Sequence, residues 1–204
     1  MFRIDWTTPP AATAIHAAIA IHDGVPLIDS EQQERLAPLV AGLSRSDLIR
    51  FAEAASADDP PPAELQPLVD AFGGQADELA ARVRPLCEQW DARGPGLMRM
   101  LDRQAGPIGV ERATVALTLP VVGGHGVALP AANAVLFEAV LANPLPELPE
   151  VLRLAWLLAQ LGADADASRA AGLVSEVLTA AEEVELATAD AATIELATEA
   201  WRAR

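Results

Sequence analysis

Residues 113–137 read ATVALTLPVVGGHGVALPAANAVLF, a run of 25 residues between Arg112 and Glu138 without a formal charge. The chain around it carries 29 acidic and 14 basic side chains, a formal charge of −15. So apolar a stretch in so acidic a chain marks the buried centre, because uncharged side chains gain by leaving water and ionised ones lose. Pro120, Gly123, Gly124, Gly126 and Pro130 cut the run into pieces too short to cross about 30 Å of hydrocarbon as one helix. Buried core is therefore expected, and a membrane role is not.

How this run divides decides the fold. Thr114 to Val122 alternates and holds Val115, Thr118, Val121 and Val122, the one segment with strand character, and Gly126–Leu129 supplies a partner for a small hairpin. Residues 130–142 and 149–161 read as helices that are apolar nearly all round, the second opening Val151-Leu152-Arg153-Leu154-Ala155-Trp156-Leu157-Leu158. Amphipathic stripes predict further helices over 9–22, from the Ser30/Gln33 capping box, from Ser44, and over 75–92, 167–181 and 190–203. The expectation is an all-α, or nearly all-α, orthogonal bundle of about nine to ten helices.

Leu36-Ala37-Pro38-Leu39-Val40 recurs 29 residues later as Leu65-Gln66-Pro67-Leu68-Val69, which predicts a short αα-hairpin repeat within 30–92. Gly73-Gly74 reads as a helix stop and Arg93-Gly94-Pro95-Gly96 as a tight turn. The chain is expected to form one compact domain over 1–204, with a subdomain boundary, if any, between 1–93 and 97–204.

Composition removes several function classes. The sequence has no lysine and no tyrosine, so a Schiff-base lysine, a P-loop lysine and a tyrosine general acid are excluded. The charge excludes a phosphate-backbone partner, which needs concentrated basic side chains. Cys87 is the one cysteine and forms no internal disulfide or CxxC pair; on packing grounds it is a core residue. The first residues lack the basic and apolar segments of a signal peptide, and a cytoplasmic location is expected. His16 and His22 stand six apart, on different helical faces, and read as ordinary partly buried histidines; no metal is expected without HExxH or paired-cysteine spacing. Asp164-Ala165-Asp166 resembles the opening of an EF-hand loop but has Arg169 where glycine must turn and Ser175 where the bidentate glutamate belongs. No cofactor is expected.

Two functions fit what remains. The first is a non-catalytic protein-interaction or scaffold module, its partner a protein or a second copy of the chain in a homodimer, with Trp156 and Leu157 of the apolar helix as interface residues. The second is a small enzyme or ligand-binding protein whose cleft is formed by Gly123–Gly126 and helix 130–142. There His125 acts as base or ligand, Glu138 as its partner, and Arg112, Arg153 and Gly124 hold an anionic substrate. The first is preferred, and an enzyme is not expected.

Overall fold

In a computed structural model the 113–138 run forms strands, and the protein is α/β rather than all-α. The structure describes residues 2–57, 59–72, 76–106, 108–140, 145–162 and 167–202; the Gly73-Gly74 stop and the Asp164–Asp166 pair lie outside them. Four strands, β1 (Arg3–Thr7), β2 (Arg112–Thr118), β3 (Gly126–Leu129) and β4 (Ala134–Glu138), make one mixed sheet in the order β1-β2-β4-β3. β1 and β4 run parallel to β2, and β3 runs antiparallel to β4.

This corrects three expectations. Of the helix expected over 130–142, the described residues 130–140 form none: a short 3-10 turn at Pro130–Ala132 leads into β4. β2 and β3 do not form a hairpin, since β4 lies between them. The helical-bundle architecture falls with them. The cause is burial on both faces. Every residue of β4 is buried, so its sequence is continuously apolar, and a short apolar run does not separate a two-sided strand from a buried helix.

Alternation along the strands sets up the layers. Ala134, Leu136 and Glu138 point to one face, together with Thr114, Ala116 and Thr118, their register partners on β2. α1 (Ala12–His22) and α3 (Arg45–Ser56) cover that face, with α2 (Ser30–Val40) and α4 (Gln66–Asp70) against α1. α1 is buried from Ala12 to Ala20 because it lies between sheet and helices, which is why it is alanine-rich all round. The opposite face presents Phe137 and Gly126 to α6 (Glu150–Ala159) and Ile4 and Trp6 to α5 (Ala76–Ala105). α7 (Ala167–Glu183) packs on α5 and α6, and α8 (Ala191–Arg202) on α7.

Several local signals act differently from the simplest expectation. α5 runs through Arg93-Gly94-Pro95-Gly96 without a turn. The Trp90 indole lies so close to Gly94 that no Cβ fits there, so this glycine serves packing. Asp29, not Ser30, caps α2 through Gln32 N–H at 3.0 Å, and Gln33 instead accepts Leu27 N–H at 2.9 Å. The two Leu-X-Pro-Leu-Val copies are not equivalent: Pro38 is inside α2, whereas Pro67 is in the first turn of α4. Ser44 caps α3 through Asp47 N–H at 3.2 Å.

At Gly126 sheet and helix approach closely. A Cβ there would meet Leu136 O at 2.9 Å as well as the Leu157 side chain. Gly126→Ala is expected to cost about 1–3 kcal/mol by overpacking in urea unfolding. Gly42→Ala, where a Cβ meets nothing within 4 Å, serves as the neutral control; equal stability of the two variants contradicts this account of the β3–α6 contact.

Candidate functional site

Glu138 is the last residue of β4, and alternation turns its side chain toward α1, where it is fully buried. A carboxylate in that position needs donors, and the chain supplies five. Val122 N–H reaches Oε1 at 2.7 Å, while Gly123, Gly124 and His125 N–H reach Oε2 at 2.9, 2.6 and 2.9 Å. His16 Nε2, from the middle of α1, meets Oε1 at 3.1 Å. Four consecutive amides can converge on one group because Gly123 and Gly124 take φ of +94° and +110°, a region that residues with a Cβ enter only under strain. Such a run of inward amides is an anion-binding nest, and here the anion is part of the chain.

The imidazoles stack beside it. His125 Nδ1 lies 3.4 Å from His16 Nε2, with ring centroids 5.0 Å apart. His16 Nε2 faces a carboxylate, so the network assigns it the hydrogen, and His125 Nδ1 is the lone pair beside it. His16 Nδ1 is buried without a hydrogen-bond partner.

Arg153 braces the same corner from the opposite face. Its guanidinium lies 3.9 Å from the Phe137 ring centroid and donates to His125 C=O at 2.6 Å and Glu138 C=O at 3.1 Å. Glu150, one turn earlier on α6, pairs with it. The side chain is almost fully buried, and its charge is met by a carboxylate, two carbonyls and an aromatic face.

Of the residues singled out from sequence, His125, Glu138, Gly124 and Arg153 come together. They do so mostly through main-chain groups, with the His125 ring buried against His16. Arg112 is elsewhere: at the start of β2, it pairs with Asp5 at 2.9 Å. Trp156 and Leu157 lie inside the protomer. Trp156 packs on Trp201 with centroids 5.6 Å apart and donates to Ala170 C=O at 2.9 Å, and Leu157 covers Gly126. His16 is the participant that sequence reasoning passed over. Its signal was present, since a histidine inside the uncharged stretch Ala11–Ile21 needs a partner. Among the described residues no group of three or more His, Cys, Asp or Glu is placed to hold a metal ion, and no helix is long and apolar enough to cross a membrane.

The chemistry of Glu138 follows from this packing. Burial by itself would raise its pKa, but the His16 hydrogen bond and charge and the amides of His125 and Gly124 more than reverse that, lowering it from 4.5 to about 2. A carboxylate has about four lone-pair sites, and all are engaged. Such a group neither takes a substrate proton at neutral pH nor has room to accept one. Compared with known proteins, the chain matches no family model, no curated protein and no solved structure.

The shift makes stability pH-dependent. The folded carboxyl titrates near 2 and the unfolded one near 4.5, so the unfolded chain takes up the proton first. This contribution, about 3 kcal/mol by linkage, is complete above the unfolded value and is lost as pH falls toward the folded one. Urea unfolding across that window should show the wild type converging on Glu138→Gln as pH falls. A stability difference that stays constant with pH contradicts the assignment.

Proposed function

We propose that this protein is a non-catalytic protein-interaction module whose buried polar cluster holds the fold rather than performs a reaction. The observation that carries the proposal is the saturation of Glu138: five donors occupy it, and its low pKa keeps it from acting as a base. Arg153 is likewise committed to main-chain carbonyls and Glu150, which leaves its guanidinium serving the fold rather than an anionic substrate. The sheet adds a second support. Its outer strands, β1 and β3, each pair on one side only among the described residues, and open strand edges are places where another chain can add. The partner is a protein, a second copy included. The acidic charge and single thiol of Cys87 suit a cytoplasmic location.

Structural and catalytic polar groups respond oppositely to removal. Catalytic groups are commonly replaced at no cost in stability, or with a gain, whereas a carboxylate that satisfies buried amides leaves them orphaned. Glu138→Gln is expected to lower stability at neutral pH by about 3–5 kcal/mol, as measured by chemical unfolding. A variant as stable as the wild type would overturn this function and return His125 and Glu138 to the enzyme alternative.

A further inference from the structure

Of the two imidazole nitrogens that face each other beside Glu138, only one has room for a hydrogen. His16 Nε2 carries its hydrogen toward Glu138 Oε1 at 3.1 Å, and a ring so placed keeps that hydrogen whether it is neutral or charged. His125 Nδ1 lies 3.4 Å from the same nitrogen. It is therefore bare, and the hydrogen of the neutral His125 ring is on Nε2. The nitrogen still open to a proton is Nδ1, the one that faces His16. Protonated in place, His125 would set two N–H groups against each other with no acceptor between them.

The charges packed around the ring do not relieve this. From β4, Glu138 is already met by four amides and by His16. From α6, Arg153 donates to His125 C=O at 2.6 Å, and Glu150 balances its charge. α3, which packs on β3, buries Leu48, Ala52, Ala55 and Ser56 and no ionisable side chain. From α1 the facing group is His16 itself. A charged His125 ring would thus be buried with no counter-charge of its own, which disfavours the charged form. The two rings differ in their way out. His16 is 0% exposed in the middle of α1, whereas His125 is 8% exposed and follows Gly123 and Gly124, whose φ are +94° and +110°. His125 is the ring that can leave.

We propose that the His16–His125 pair is an acid-sensitive latch on the 122–125 loop: a proton from solvent, taken up by His125 at Nδ1, drives that ring out from beside His16 and loosens the loop's hold on Glu138. The loop follows the ring because His125 N–H is one of the four amides on Glu138 and its C=O is held by Arg153. The unfolded chain accepts this proton near the ordinary histidine value of about 6.5, and the closed stack refuses it. Stability is then complete above that value and falls as pH drops below it. This window lies above 4.5, where protonation of Glu138 begins to count. The latch rests on the structural role of the cluster and adds how that role is regulated.

The test is urea unfolding of the full chain from about pH 7.5 to about pH 5, across the histidine range, with the wild type beside His125→Phe and His125→Gln. The first variant keeps an aromatic ring in the stack, the second keeps an acceptor for His16, and neither takes up a proton. The wild-type unfolding constant should rise relative to that of either variant as pH falls, approaching about tenfold per pH unit for the one proton bound on unfolding. In NMR spectra of the wild type, the His125 ring should be the Nε2–H form at the upper end of this range. Its protonation should shift the amides of Val122, Gly123, Gly124 and His125 together. This titration needs only the wild type and decides the matter should neither variant fold. Parallel pH profiles of wild type and variants, or ring protonation near about 6.5 that leaves those four amides in place, would overturn the latch. The structural role of the cluster is read separately, from the stability of Glu138→Gln at neutral pH, so failure of one is distinguishable from failure of the other.

Discussion

The carboxylate of Glu138 fixes how the chain turns at the end of the sheet. After β2 the backbone must leave the sheet, reverse and return as β3 on the far side of β4. A loop that buried carries amides with no strand to pair with, and each orphaned amide costs on the order of 1–3 kcal/mol. Here Val122 to His125 spend those amides on one side chain. The carboxylate belongs to the strand that the loop has to admit, so the reversal and the insertion of β4 between β2 and β3 are stabilised by the same bonds. Gly123 and Gly124 supply the backbone angles, and His16 ties the arrangement to α1.

The two buried charges of this corner, Glu138 and Arg153, are not partners of each other through their side chains. Each is satisfied on its own face of the sheet, Glu138 by amides toward α1 and Arg153 by carbonyls, Glu150 and the Phe137 ring toward α6. They meet on the main chain: Arg153 donates to the C=O of Glu138, and to the C=O of His125, which also accepts Glu138 N–H. Buried ions are expensive when isolated and tolerable when fully hydrogen-bonded. This corner therefore reads as a rigid joint between the two helical layers.

Much of this was legible in the sequence, and the misreadings share a cause. The uncharged run marked the core, and the isolation of His125 and Glu138 within an apolar context marked the polar cluster. The helices α1, α3, α6, α7 and α8 lie within a few residues of where periodicity and caps placed them. β4 reads as a helix in sequence because strands buried on both faces lose the alternation that identifies them, and Ala134-Val135-Leu136-Phe137 shows none. β1 has its signal in Arg3-Ile4-Asp5-Trp6-Thr7, a clean but short alternation. In place of the turn expected at Gly94-Pro95-Gly96, α5 runs through these residues, with the Trp90 ring packed over Gly94. His16 could not be joined to Glu138 from sequence, since 122 residues separate them.

The turn out of the sheet depends on Glu138 being bonded to the amides of the 122–125 loop. Scalar couplings across hydrogen bonds, measured by NMR between amide nitrogens and the side-chain carboxyl carbon of Glu138, test it most directly. Resolved couplings are expected from Gly124 and His125, the amides with the least exposed positions in the nest. Absent couplings, with these amides exchanging with solvent as fast as those of an open loop, would contradict it and remove the basis for a buried structural carboxylate.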